Sequence, residues 1–478
     1  MLLSKIVQLL NLSVNLPFDL EINDLIEDSR KARSNTIYIG TSNKIEELTK
    51  YIQDAVSKGC KVIITSQNIE LNKDVIFLKV DNERVVKSKL ASLFYQGQPN
   101  NIYAVTGTNG KTSTVHFTRQ ILSLLNKKAA SIGTLGLAYG FNEYNLSKDN
   151  VSLTTPGAIE LHKLLNKLYN DNIDYMAMEA SSHGLDQFRL DGVKLKAAAF
   201  TNFTRDHLDY HTTMESYFDA KARLFRELLP KGKLAVLNAD IDEYEQLNNI
   251  CTKNENRIIS FGYSGKDIKL KNLKALPTGL ELECSLFGKE FKTHVNLIGE
   301  FQAFNLMTSI GLLAEELDEN NFNIVENVLS VPGRMEKVKN KENVYVDYAH
   351  TPDALEKTIK MTRKHCKGEI IVVFGCGGNR DKGKRSEMGK IACEFANTVI
   401  ITDDNPRNEI PSEIRKEILS ACKENAIEIA DRKDAIAKAI QISKKEDIVL
   451  IAGKGHEKYQ IIGDQILDFD DVRIAEEV

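Results

Sequence analysis

The chain has 478 residues, room for about three domains, and its 42% hydrophobic and 27% charged residues are those of an ordinary folded protein without a membrane span. A formal net charge of −4 gives no broad basic surface, so nucleic acid is not an expected partner and an anionic ligand must be held by local groups. Seven cysteines without a Cys-x-x-Cys pair argue against a disulfide framework or zinc ribbon, and the start Met1-Leu-Leu-Ser-Lys-Ile6 lacks a signal-peptide pattern, so the expectation is a cytoplasmic protein with free thiols.

Residues 1–98 read as a small α/β unit with short buried strands at Thr36–Ile39, Val62–Thr65 and Val75–Leu78. Gln96-Gly-Gln-Pro99 is a turn-rich boundary. The apolar run Ile102–Thr106 then meets Gly107-Thr108-Asn109-Gly110-Lys111-Thr112-Ser113, and a helix is predicted from about Thr112 to Leu125. A strand, a glycine loop and a helix N-terminus are what phosphate binding needs: glycines admit the backbone, and successive N–H groups face the anionic oxygens. Lys111 would neutralise the terminal phosphates of ATP, and Thr112 would reach Mg²⁺. The common pattern has four residues between its glycines, whereas two separate Gly107 from Gly110, so the loop is a shortened variant.

Further apolar runs at Tyr175–Met178, Ala197–Phe200 and Leu234–Leu237 alternate with helical stretches, which predicts a mostly parallel sheet. From Leu270 to Leu297 shorter alternating segments predict an antiparallel appendage. Val331-Pro-Gly-Arg334 marks a second boundary. Beyond it, strands at Val344–Val346, Ile370–Phe374, Val399–Ile401 and Ile448–Ile451 alternate with helical patterns near 352–364, 384–396, 411–424 and 432–443. That is a second, Rossmann-like doubly wound α/β domain. The predicted domains are 1–98, 99–332 and 333–478.

Candidate groups cluster at strand ends. Glu179 follows Tyr175–Met178, on the side where open parallel sheets place their ligands, and a carboxylate there suits Mg²⁺; the alternative is an acid starting a helix. Asp206-His-Leu-Asp-Tyr-His211 packs carboxylates and imidazoles together, with His207 as a metal ligand or proton carrier, or else as part of a solvated turn. Lys221 falls inside the apolar stripe Tyr217, Ala220, Leu224, Phe225, Leu228. A lysine there snorkels, finds a partner or loses its charge, and a neutral amine can take up CO₂ as an anionic carbamate. Gly375-Cys-Gly-Gly378 approaches a dinucleotide loop, but Arg380 stands where the pattern needs glycine, which speaks against a nicotinamide enzyme.

Taken in order, Gly107–Thr112, Met178-Glu-Ala-Ser-Ser-His-Gly184, Asp206–His211, Lys221, Asp347-Tyr-Ala-His-Thr-Pro352, Gly375–Gly383, Asp404-Asn405-Pro406-Arg407 and Gly453-Lys-Gly-His-Glu457 resemble the Mur ligase family of peptidoglycan synthesis. The resemblance covers the whole chain, strongly from about residue 102 onward. It implies three domains, binding in turn the uridine part of a substrate, ATP with Mg²⁺, and an incoming amino acid. It implies that Lys221 is carbamylated to N6-carboxylysine and shares metal binding with Thr112, Glu179 and His207. It places Ser29 at the nucleotide substrate, although Glu27–Arg30 alone reads as a surface turn. Thr154, Thr155, Ser181, Gln187 and Arg189 would line the muramoyl-peptide site; Leu153 departs from the polar residue relatives often carry. Asn305, Arg334 and Asp347 would complete the ATP site, with Gln302 standing where relatives usually have Asn.

The chemistry implied is ATP-dependent amide formation through an acyl phosphate, adding meso-2,6-diaminopimelate to the D-Glu carboxylate of UDP-N-acetylmuramoyl-L-alanyl-D-glutamate. Lys111, Glu179, His207 and Lys221 would be the catalytic set. Arg407 and Arg380 would hold carboxylates and Glu457 the distal ammonium, with Asp404, Asn405, Pro406 and Gly453 shaping the site. Lysine lacks the distal carboxylate, so Arg407 would be left unpaired by it. A lysine-adding homologue, a folylpolyglutamate synthase and a non-catalytic nucleotide switch are the alternatives. The partners implied are small molecules only, and the expected state is a monomer.

Overall fold

The computed structural model describes residues 1–42, 44–71, 74–141, 143–145 (backbone only), 153–422 and 424–478. The chain forms two compact units, one of Met1–Lys111, Leu122–Leu237 and Ile241–Ile259, the other of Thr112–Ile121, Asn238–Asp240 and Ser260–Val478.

In the first unit, strands Asp24–Ile26, Thr36–Ile39, Val62–Thr65 and Ile76–Lys79 form a parallel sheet in chain order. Apolar residues fill both of its faces, with Leu25, Ile37, Ile39, Ile64 and Leu78 on one side and Ile26, Tyr38 and Ile63 on the other. A second parallel set runs Leu234–Asn238, Ala197–Phe200, Asn101–Thr106, Tyr175–Glu179, Ala129–Gly133. These strands are short, nearly all apolar and buried on both faces, as parallel strands are. Strands Gly136–Tyr139 and Glu143–Asn145 extend it as an antiparallel edge.

The second unit holds the predicted antiparallel appendage, strands Ile268–Leu276, Gly279–Leu286 and Lys289–Val295. It also holds the predicted doubly wound domain. Its strand order is Glu336–Lys337, Val344–Asp347, Ile448–Ala452, Ile370–Phe374, Thr398–Ile401, Ala426–Glu428, all parallel except the first. Alternate residues serve opposite layers: Ile370, Val372 and Phe374 pack against Leu355, Met388 and Ile414, whereas Ile371 and Val373 pack against Ala435, Ile436 and Ile474.

Two helices depart from the sequence pattern. The helix expected near 411–424 is Pro411–Leu419. Asn425 Nδ2 donates to the carbonyls of Cys393 and Ala396, and this anchor commits the chain to the strand Ala426–Glu428. The helix bearing Lys221 is α-helical over Met214–Arg223 and then widens to a π turn, Leu224–Leu228. Asn254 Nδ2 donates to the carbonyls of Phe225 (3.1 Å) and Leu229 (2.9 Å), which satisfies backbone groups where the regular ladder is interrupted.

Candidate active site

Strand Asn101–Thr106 delivers the chain to Gly107, with φ 142°, and Gly110, with φ 84°, leads it into helix Lys111–Leu124. A Cβ at Gly107 would overlap Thr201 Oγ1, so this close approach requires glycine. The end of strand Ala197–Phe200 pins the loop: Thr108 N donates to Asn202 O at 2.9 Å, Asn109 N to Asn202 Oδ1 at 2.9 Å, and Thr201 Oγ1 to Asn109 O at 2.6 Å. Lys111 Nζ folds back on its own loop, donating to the carbonyls of Gly107 (2.9 Å) and Thr108 (2.7 Å). An arriving phosphate would compete with these carbonyls for the ammonium.

Glu179 is the last residue of its strand, not the start of a helix, and is 1% exposed. Thr134 N donates to its Oε1 at 2.8 Å and Thr134 Oγ1 to its Oε2 at 3.3 Å. A Cβ at Gly133 would lie 2.5 Å from Glu179 Cδ, so the carboxylate occupies the space a side chain would take. The predicted muramoyl-peptide residues join the same network. Thr154 Oγ1 is 3.3 Å from Thr134 Oγ1; Thr155 Oγ1 donates to Glu179 O at 2.8 Å and lies 3.0 Å from Ser181 Oγ. Arg189 donates to Thr155 O at 2.7 Å and to Gln187 Oε1 at 2.6 Å.

His207 sits in the left-handed region, φ 51°, with Nε2 at 3.6 Å from Asp206 Oδ2. Its ring is edge-on to His183 at 4.9 Å, and His183 in turn lies 4.2 Å from Tyr210 and 5.6 Å from His211. Burial, ahead of repulsion from His207 and His211, holds the His183 imidazole below its ordinary pKa. Lys221 is 1% exposed, so its ammonium does not snorkel to water. Its Nζ donates to Gly107 O at 2.7 Å and lies 4.5 Å from the Tyr217 ring centroid. Among the described residues no carboxylate is at ion-pair distance from it. Burial, then the charge of Lys111, pushes its pKa far down against a weaker pull from Asp206.

Among the described residues no three His, Cys, Asp or Glu side chains converge into a ready-made metal site. Glu179 supplies oxygen donors suited to Mg²⁺ and His207 an imidazole nitrogen, and Lys221 adds a donor only if its amine becomes a carbamate. Ser29 is buried rather than on a surface turn, and its Oγ donates to Asp54 Oδ2 at 2.7 Å, which leaves the oxygen as an acceptor.

In the second unit, Asn305 Nδ2 donates to Gln302 Oε1 at 3.0 Å inside the helix Glu300–Leu312. Gln302 Nε2 is buried with no hydrogen-bond partner among the described residues. Arg334 follows Gly333, whose φ is 65°, and its guanidinium lies 5.0 Å from the Tyr348 ring centroid. Asp347 accepts from the N–H groups of Met335 (2.8 Å) and Ala349 (2.9 Å); burial raises its pKa and Arg334 opposes. His456 packs 5.2 Å from Tyr348, and burial with Arg334 nearby lowers its pKa to about 4.

The predicted amino-acid residues come together at the ends of strands Thr398–Ile401 and Ile448–Ala452. Arg407 has φ 51°; its N–H donates to Ile461 O at 3.0 Å and its Nη1 to Gly378 O at 2.9 Å. A Cβ on Gly377 would lie 2.8 Å from Arg407 Nη1, so a side chain there would crowd that guanidinium, and 3.9 Å from Arg380 Cγ, an ordinary contact. A Cβ on Gly378 would overlap Pro406 O. Asn405 Nδ2 donates to Glu457 Oε2 at 2.9 Å, and Asp404 Oδ2 would be 3.0 Å from a Cβ on Gly453. Two arginines and two carboxylates in one cluster match a ligand carrying both carboxylates and ammonium groups. Lys454, missed in the sequence, is buried here, with Nζ at 3.2 Å from Asn405 Oδ1 and 3.7 Å from Glu457 Oε2. The only clue to it was its place between Gly453 and Gly455. Thr134 was likewise missed, though it directly follows the run Ala129–Gly133.

Comparison with known proteins finds two family matches: the Mur ligase middle domain at residues 105–313 and the Mur ligase glutamate ligase domain at 333–455. The UDP-N-acetylmuramoyl-L-alanyl-D-glutamate--2,6-diaminopimelate ligase of Rickettsia bellii (strain RML369-C) is 42% identical over 460 residues, 95% of each chain. A solved structure of an enzyme of that name superposes with a TM-score of 0.74 at 30% identity, covering 99% of this chain and 98% of the other. The MurF ligase of Thermotoga maritima in complex with ADP shares the fold, with a TM-score of 0.59 at 17% identity over 91% of this chain and 94% of that one.

Proposed function

The chain belongs to the Mur ligase family, and from that premise we propose that it joins meso-2,6-diaminopimelate to the D-Glu carboxylate of UDP-N-acetylmuramoyl-L-alanyl-D-glutamate, using ATP, in peptidoglycan precursor synthesis. The observation that carries the choice of amino acid is the cluster of Arg380 and Arg407 with Asp404 and Glu457. It offers a binding group to each charged end of a doubly zwitterionic ligand, and lysine would leave an arginine unmatched.

In this reading the loop Gly107–Ser113 binds the phosphates of ATP, and Lys111 leaves the carbonyls of Gly107 and Thr108 to offset charge on the transferring phosphoryl group. Asn305, Arg334 and Asp347 are nucleotide contacts, Ser29 a contact of the uridine end. Thr154, Thr155, Ser181, Gln187 and Arg189 orient the muramoyl peptide so that its carboxylate attacks the γ-phosphorus, ADP leaving. The other amine of the diaminopimelate, whose distal ammonium Glu457 holds, then attacks the acyl carbon and gives up a proton, and inorganic phosphate leaves. Mg²⁺, held by Thr112, Glu179, His207 and carbamylated Lys221, would supply charge neutralisation when bound. Lys221 suits carbamylation because its amine is buried and burial favours its neutral form: the nitrogen lone pair adds to CO₂ and a proton leaves. The domains 1–98, 99–332 and 333–478 divide this work, and the enzyme acts as a cytoplasmic monomer. Among the described residues no helix is long and apolar enough to cross a membrane.

A folylpolyglutamate synthase is disfavoured by the two-ended amino-acid cluster and by the 42% match over 95% of the chain. The deciding experiment supplies purified protein with ATP, the nucleotide dipeptide and one of diaminopimelate, lysine or glutamate, and weighs the product by mass spectrometry. A tripeptide nucleotide with diaminopimelate is expected. Preferred turnover of lysine would sink the Arg407 assignment, and ATP binding without any amide product would indicate a switch.

A further inference from the structure

The helix Arg432–Ile442 begins with an arginine whose side chain has no solvent exposure, paired with Asp471, equally buried, at the start of the helix Asp471–Glu477. The pair is bidentate: Arg432 Nε donates to Asp471 Oδ1 and Nη2 to Oδ2, each at 2.7 Å. The guanidinium then reaches two backbone oxygens, Ala452 O at 3.0 Å from Nη2 and Asp403 O at 3.5 Å from Nη1. These carbonyls immediately precede Gly453 and Asp404. Strands Ile448–Ala452 and Thr398–Ile401 flank strand Ile370–Phe374 on either side, so no direct ladder joins their ends. Arg432 ties both strand ends to one point, in addition to the hydrogen bonds that Asn405 makes with Glu457 and Lys454 further along the two segments.

A fully buried ion pair is a poor means of stabilising a fold, because desolvation offsets the attraction and an apolar pair of similar volume does as well. A planar guanidinium does provide fixed directions to several acceptors at once. We propose that Arg432, oriented by Asp471, is a positioning residue for the amino-acid site: it sets the spacing between Gly453 and Asp404 and thereby the reach of Glu457 and Arg407. This rests on the reading of Asp404–Arg407 and Gly453–Glu457 as that site.

The test compares steady-state constants of the full-length enzyme carrying Arg432→Met together with Asp471→Leu, which keeps an apolar filling, and separately Arg432→Lys, which keeps the charge but not the fork. Arg407→Lys serves as the control for the site itself. With the wild-type melting midpoint preserved, KM for diaminopimelate is expected to rise by about tenfold or more, the scale of a small misplacement of binding groups, while KM for ATP stays within about twofold. An unchanged KM for diaminopimelate in Arg432→Lys overturns the proposal, as does a parallel loss of both KM values with a lowered melting midpoint, which marks a merely structural strut. If the double variant does not fold, Arg432→Lys alone decides. If Arg407→Lys also leaves KM for diaminopimelate unchanged, the site reading falls; if only the Arg432 variants do, the positioning role falls.

Discussion

The amine of Lys221 donates to the carbonyl oxygen of Gly107 at 2.7 Å, so the buried lysine and the first glycine of the phosphate loop are in direct contact. The helix that carries Lys221 and the loop that would carry ATP are therefore coupled through this hydrogen bond and a second, from Tyr217 Oη to Thr108 Oγ1 at 3.3 Å. Replacing Lys221 with Ala removes its bond to Gly107 O and the amine proposed to carry the carbamate. Activity should fall by roughly 10²–10⁴, the scale for loss of an electrostatic group at a reacting centre. Arg, which keeps a cation but cannot form the carbamate, should not restore it. Initial rates with saturating substrates check this, and an active Lys221→Arg variant would refute carbamylation.

Lys111→Ala should cost a comparable factor of roughly 10²–10⁴ in kcat, with a smaller effect on binding of UDP-N-acetylmuramoyl-L-alanyl-D-glutamate. Because Lys111 closes on Gly107 O and Thr108 O, its loss should also loosen the loop without ATP. Amide hydrogen exchange across 107–112 reads that second effect.

Arg407→Lys should weaken diaminopimelate far more than ATP. Lysine cannot reproduce a planar fork, and the Arg407 backbone is held by Ile461 O and Gly463 N, so the main chain does not shift to compensate. Competition between diaminopimelate and lysine, read as the ratio of kcat/KM values, should fall from about 10⁴ toward unity. A ratio unmoved by the substitution would assign discrimination elsewhere.

His456 makes a prediction about pH. Its ordinary pKa of 6.5 is lowered to about 4 in the fold by burial and the nearby Arg334. Below pH 6.5 the unfolded chain takes up a proton that the folded chain refuses, so the contribution is complete above 6.5 and is lost as pH falls toward about 4. His456→Gln should flatten the dependence of the melting midpoint on pH within that window. A wild-type slope retained by the variant would locate the titration in another group.

Much of the fold was legible because its strands are continuous apolar runs between turn residues; Ala197–Phe200 and Ile370–Phe374 lie where their composition puts them. The helix end at Leu419 was not, because Asn425 sets it through contacts with Cys393 and Ala396 that are remote in sequence. The same holds for sites. Gly107–Thr112 and Asp404–Arg407 announce themselves through local glycine, proline and charge patterns. Lys221 carries a conflict between its charge and its apolar stripe that spacing alone leaves open, and its burial removes the snorkelling alternative. Arg432 and Asp471 have no local signal at all, since each is an ordinary first-turn residue of a helix until the chain brings them together.

Gly133 carries a consequence of another kind. It has no functional group and contributes no donor to the reaction, yet the Glu179 carboxylate fills the volume its side chain would need. In a saturation scan for activity this position should score as intolerant as Glu179 itself. A map of essential positions is thus wider than a map of chemistry, and here the difference is one missing methyl group.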